Sequence, residues 1–359
     1  MLALRAISQN LRRLRYRWHC RRDLSDALVA YESVFQEILS DLYPTPAVPR
    51  RLRIDFDWIC SFKKWDAEAV PGNWVHERMV RLTICWFYEL QGITNEIFKS
   101  RDMFPKIGVA EKDRFNYAEL RAGAAAGDER DTSTDSLRQE ASCVTVEIAL
   151  AMIVLHEIGH HAFGHMELDN LRGLKYRESD AALEEVSSAN VPSRQACEID
   201  ADRFSFSRVL ELAAGGRSPF TNQLVSPPLT CHLFSLATLA YWLVIALLHT
   251  RNDSLERFET AAHPHPAVRL LASQSHFTKY FARDDKAAAA YQTAWQETLR
   301  VIEHNEDQKH TLSLLAQQRP LLEEKVAQLD AVIKQNLRKA TKRFDFSRGE
   351  WLEPTSGEL

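Results

Sequence analysis

The chain has 359 residues, 45% of them hydrophobic, enough to bury a substantial core in one large domain or a domain with extensions. Its 45 basic and 49 acidic residues leave a net charge of −4, so no global positive field marks a nucleic-acid binder. Cys20, Cys60, Cys85, Cys143, Cys197 and Cys231 are scattered without a Cys-x-x-Cys pair, which argues against a zinc knuckle and fits small apolar residues in a reducing compartment.

The first 22 residues carry Arg5, Arg12, Arg13, Arg15, Arg17, Arg21 and Arg22 with no acid, interleaved with Leu4, Ile7, Leu11, Leu14 and Trp18. This predicts a basic amphipathic helix without the uninterrupted apolar stretch of a signal peptide. A helix packed by one face and otherwise solvated is preferred; an organellar presequence, a membrane-surface helix and a partner-binding arm stay open. From Leu52 to Phe62 apolar residues alternate with Arg53, Asp55 and Asp57, the pattern of a half-buried strand. Val80 to Tyr88 is rich in β-branched and aromatic residues and is expected to pair with it, with Pro71-Gly72-Asn73 as the turn between. An edge of such a sheet would suit an extended peptide. Gly123 to Ser136 reads as a loop ahead of a long helix that runs through His165.

On that helix Val144, Ile148, Ala151, Met152 and Leu155 recur at helical spacing and lead into His156-Glu157-Ile158-Gly159-His160. Residues four apart share a helical face, so both imidazoles can bind one cation. Glu157 then stands where its carboxylate can reach water at the metal rather than the metal, the place of a general base. A catalytic zinc needs a third protein ligand. The metzincin pattern is rejected, because Phe163 sits where its glycine should be and Met166 where its third histidine should be, leaving His165 out of register. Downstream, Glu198 and Asp202 are again four apart on a helix continued by Phe204, Val209 and Leu210. Glu198 is expected to ligate the zinc, and Asp202 to accept the free ring N–H of a ligating histidine. Between the two helices, Glu178 to Glu185 reads as a solvated acidic excursion.

Leu229 to Thr250 carries no Asp, Glu, Lys or Arg and is long enough to cross a bilayer, but His232, Ser235, Thr238 and Tyr241 are dispersed along it; a buried core helix is preferred. After the Arg319-Pro320 break, Leu322, Val326, Leu329, Ile333 and Leu337 trace an amphipathic stripe that either folds back on the chain or binds a second copy or partner. The tail from Pro354 is expected to fray.

These motifs resemble the gluzincin metallopeptidases, which pair His-Glu-x-x-His with Glu-x-x-x-Asp on a second helix. Within that group the chain is similar to heat-shock and prenyl-protein-processing membrane proteases and to Lit-type phage-exclusion peptidases, with a further histidine five residues on, here His165. His263-Pro-His-Pro-Ala-Val-Arg269 is similar to a His-Pro-x-x-x-x-Arg segment of the first group. The resemblance implies that His263 and Arg269 lie near the active site and stabilise an oxyanion or hold substrate; the competing reading is a Pro-rich loop capping the next helix, with Arg269 solvated. The resemblance spans His156 to Arg269, about a third of the chain.

The fold class expected is therefore α+β, mainly helical, with a zincin-like core, a small sheet ahead of the zinc helix and a helical C-terminal extension. The expected divisions are a basic helical segment (1–50), a metallopeptidase domain (51–275) and the extension (276–359). The expected function is a zinc endopeptidase with one catalytic Zn2+ held by His156, His160 and Glu198, with Glu157 as base. Its partners would be a protein or peptide substrate and no nucleic acid, with peripheral membrane contact and a homo-oligomer through the C-terminal helix left open. Its place would be the cytoplasm, with membrane association as the variant. Two alternatives stand beside it: a regulatory or toxin-like binding protein whose structural zinc is closed by Cys197 or His165, and a membrane-associated processing protease.

Overall fold

The computed structural model describes residues 53–59, 67–71, 77–83, 85–113, 133–165, 176–177, 191–216, 224–248, 259, 261, 263–303, 309–337, 343–345 and 350–352. The basic N-terminal helix, most of the 123–136 loop, the 178–185 excursion and the tail from Pro354 lie outside them.

Among the described residues, three strands come ahead of the first helix: β1 (Arg53–Ile59), β2 (Ala67–Pro71) and β3 (Glu77–Thr83). β1 runs parallel to β3, and β2 is antiparallel to β3 and to the two-residue β4 (Tyr176–Arg177). The expected strand from Val80 to Tyr88 stops at Thr83, because α1 (Cys85–Lys99) begins two residues on. Trp86, Leu90, Ile93 and Ile97 are buried at helical spacing, and this period outweighs the strand preference of Trp86 and Phe87. Pro71 closes β2, and Gly72 and Asn73 of the expected turn lie outside the described residues.

The α+β class is corrected to a mainly helical one. Helix makes up about 80% of the interpretable structure, and helices build the core around the site. Only Val80 and Leu82 represent the strands in that core among the described residues. Propensity favoured strands locally, but a core organised around one long helix places the class elsewhere.

That long helix is α2 (Ser136–Ala162), about 40 Å of helix. Asp135 caps its start by accepting from the Leu137 and Arg138 backbone N–H groups at 3.1 and 3.0 Å. Arg138, itself buried, donates to the carbonyls of Phe98 and Ser100 at 2.7 and 3.0 Å, tying α2 to the end of α1. Apolar on nearly every side, α2 is a central element, as a helix with no polar face must be. It is long and apolar enough to cross a membrane, yet 89% of its most apolar stretch is buried inside the protein.

Around α2 pack α1, α3 (Val191–Ala214) and α5 (Leu233–Leu248), the last preceded by the single turn α4 (Pro227–Thr230). The Leu229 to Thr250 stretch thus yields a helix about 24 Å long, shorter than a bilayer core of about 30 Å. Leu233, Leu236, Leu239, Ala240 and Leu243 are all buried, as expected of a core helix. α6 (Pro266–Phe281) and α7 (Asp285–Glu303) complete this side.

A second cluster lies beyond α3. There α8 (Lys309–Gln317) and α9 (Arg319–Val332), with the π-turn Ile333–Leu337, pack on α6 and α3. Leu322, Val326, Leu329 and Ile333 are buried against Cys197, Ile199, Val268 and Leu271. The C-terminal stripe has therefore folded back on the helix that carries Glu198. Cys197 packs in this cluster, as its expected apolar role requires. A separate pair, β5 (Arg343–Asp345) with β6 (Glu350–Leu352), follows.

Candidate metal centre

The site forms where the last turns of α2 cross α3. Gly159 makes the crossing close: a Cβ there would meet Ala201 Cα at 3.2 Å and the Phe204 ring at 3.3 Å. Neither a larger residue at 159 nor one at 201 would let the backbones approach this far. The crossing brings Glu198, one turn before Asp202, opposite the two histidines. We expect Gly159→Ala to weaken zinc binding on the order of tenfold by pushing Glu198 outward, while the helix preference of alanine, about 1 kcal/mol, offsets the packing cost. Chelator competition with a parallel thermal melt checks this; unchanged affinity would show that the close crossing does not set the ligand geometry.

His156 Nε2 and His160 Nε2 face each other at 3.0 Å. Glu198 Oε2 is 3.2 Å from His156 Nε2, and Glu198 Oε1 is 3.6 Å from His160 Nε2. Ligand atoms about 2.0–2.1 Å from a tetrahedral zinc lie about 3.3 Å from one another, so these separations match the edges of such a shell. The donor set also fits: two imidazoles and a carboxylate are what catalytic zinc takes. His156, His160 and Glu198 are 4%, 1% and 1% exposed, and Glu157 is fully buried.

Burial and charge prepare the donors. Burial drives the His160 pKa well below its ordinary value, and His156, His165 and His263 add to this against the pull of Glu198, leaving a neutral imidazole with a lone pair to give. Burial alone would raise Glu198, but His263, His160 and His156 together hold it well below the usual carboxylate range, so it stays anionic.

A layer of supports stands behind these side chains. Asp202 Oδ1 lies 3.0 Å from His156 Nδ1, in place to accept its N–H and leave Nε2 for a metal. Arg269 grips the same carboxylate with two hydrogen bonds, Nε to Oδ2 at 2.8 Å and Nη2 to Oδ1 at 2.6 Å. Burial pushes the Asp202 pKa up, and the Arg269 charge and hydrogen bonds, helped by His156, outweigh it and bring it to about 2. Tyr241 Oη, in hydrogen-bond contact with Ser273 Oγ at 2.6 Å, also reaches Asp202 Oδ2 at 3.4 Å.

The structure brings His156, His160, Glu198, Asp202, His263 and Arg269 together, and Glu157 is buried next to His156 on α2. His263 touches the centre through Glu198, its Nδ1 being 3.1 Å from Oε2. Arg269 is 1% exposed and bound to Asp202, so it is not solvated; it holds the carboxylate that faces His156. The competing loop reading was half right: His265 caps α6 by accepting from the Ala267 N–H at 3.0 Å, with Pro266 at the first turn. Sequence reasoning missed Gly159, Tyr241, Ser273 and Asp200. For Gly159 a signal existed in the small residue facing it, Ala201; Asp200 lies two residues from Glu198 on α3, while Tyr241 and Ser273 come from α5 and α6.

The His165 ring meets His160 on the side away from His156. Its Nδ1 is 3.0 Å from His160 Nδ1. Cys197 faces the second apolar cluster. No protein family, curated protein or solved structure matches this chain, so the meaning of the centre rests on its own residues.

Proposed function

We propose that the protein is a zinc-dependent metallopeptidase in which His156, His160 and Glu198 hold the metal and Glu157 is the general base. The observation that carries this reading is the convergence of three buried donors at the spacing a tetrahedral cation requires, with Glu157 adjoining one of them on the same helix. When bound, zinc acidifies a water molecule and polarises the carbonyl to be attacked. Glu157 would serve as the general base that takes a proton from the attacking water and passes it to the departing amine. Asp202 holds His156 in the tautomer with Nε2 unprotonated, and Arg269 keeps Asp202 anionic for the purpose. His263 fixes the rotamer of Glu198. A peptide bond as substrate is supported by the gluzincin resemblance of the two helices, since the same zinc chemistry also cleaves other carbonyl compounds.

The burial of all three ligands favours one second reading, a structural zinc in a regulatory protein. X-ray absorption at the zinc edge of the metal-loaded chain separates the two. The peptidase reading expects two imidazoles, one carboxylate and one solvent oxygen; a sulfur scatterer or a third imidazole closing the shell would overturn it.

A further inference from the structure

Each of the two metal-facing histidines is engaged from behind, but by different means. Behind His156 stands Asp202, backed by Arg269. Behind His160 stands a second histidine. α2 ends at Ala162 with Phe163 as its C-cap, and Gly164 takes a left-handed φ of 68°, which a residue with a side chain adopts only at a cost. That turn reverses the chain so that His165, fully buried, lays its Nδ1 3.0 Å from His160 Nδ1. The other ring nitrogen of His165, Nε2, faces Asp200 Oδ2 at 3.5 Å, and Asp200 stands on α3 between Glu198 and Asp202.

We propose that His165 and Asp200 are positioning residues that fix the ring and tautomer of His160, so that Nε2 alone is presented to the cation. The inference rests on the proposed metal centre and deepens it. Two ring nitrogens at hydrogen-bond distance need one donor and one acceptor. A neutral His160 that ligates through Nε2 must carry its proton on Nδ1, so it donates and His165 Nδ1 accepts. His165 then carries its own proton on Nε2, directed at the Asp200 carboxylate. The direction of this chain is set by its anionic end, as the Asp202 support sets that of His156. α3 thus supplies one ligand, Glu198, and an anchoring carboxylate for each of the two others.

The test uses the full chain as wild type, His165→Ala, His165→Gln and Asp200→Asn. Two quantities are read: zinc affinity by chelator competition, and the visible absorption of the Co2+ form, which reports ligand geometry. His165→Ala should weaken zinc binding about 10- to 100-fold and shift the cobalt bands. His165→Gln, whose amide oxygen can still accept from His160 Nδ1–H, should recover most of the affinity, and Asp200→Asn should lose less than His165→Ala in the same sense. An unchanged affinity and cobalt spectrum in His165→Ala would overturn the assignment, as would equal losses in the alanine and glutamine variants. If His165→Ala does not fold, the nearly isosteric Asp200→Asn decides, and wild-type affinity there overturns it. A wild type that takes up neither zinc nor Co2+ fails the metal centre itself, an outcome visible without any variant.

Discussion

Glu157→Gln should retain zinc with wild-type stoichiometry and lose at least about 10²- to 10⁴-fold in turnover, equivalent to about 3–5 kcal/mol of barrier. Glutamine keeps the size of the side chain and removes its ability to take a proton, so binding and catalysis part company. The fully buried position of Glu157 leaves no bulk solvent at its carboxylate to substitute as base. In cells, the comparison is made on new protein N-termini in wild type against Glu157→Gln, and the termini present only with the wild type name the substrates. Purified Glu157→Gln with full peptidase activity would remove Glu157 from the chemistry.

Arg269→Met should destabilise the fold by about 3–5 kcal/mol, because it leaves Asp202 buried and ionised without its partner. In a chain of this size that is a drop of roughly 5–10 °C in the thermal midpoint, measurable by circular dichroism. Adding Asp202→Asn should restore part of the loss, since both members of the pair are then neutral. The pH dependence carries the same signature. In the wild type the Asp202 pKa falls from about 3.9 unfolded to about 2 folded. Its contribution, on the order of 2 kcal/mol, is therefore present above about pH 4 and lost as pH falls through 2. Without Arg269, the first force holding that carboxyl down is gone, so acid should destabilise the variant less steeply between pH 4 and 2. A variant as stable as the wild type, with the same acid profile, would mean that the Asp202 charge is compensated elsewhere.

Much of the site was legible in the sequence because it is periodic. His156 with His160, and Glu198 with Asp202, are pairs four apart, and a helix turns that spacing into a shared face without help from the rest of the fold. Contacts between helices were less legible. Nothing in the spacing of His165 and Asp200 says that a left-handed Gly164 will turn one toward the other. Arg269 shows the same limit. Its sequence neighbourhood is a proline-rich helix start, a setting that suits a solvated cation, and only the packing of α6 against α3 buries it on Asp202. The segment after β3 failed for a different reason. Trp86 and Phe87 favour strands, but Leu90, Ile93 and Ile97 continue their pattern at a helical period, and burial against α2 rewards that period. The C-terminal stripe was read correctly as an apolar face, while its partner, the outer side of α3 and α6, could be found only in three dimensions.

The central claim is tested most directly by zinc titration of the metal-free wild type beside Glu198→Ala, with bound metal counted by elemental analysis. The account predicts one tightly held zinc per chain in the wild type and its loss in Glu198→Ala, where a two-histidine remnant binds orders of magnitude more weakly. A wild type that takes up no zinc, or a Glu198→Ala variant that holds it as tightly as the wild type, would contradict it.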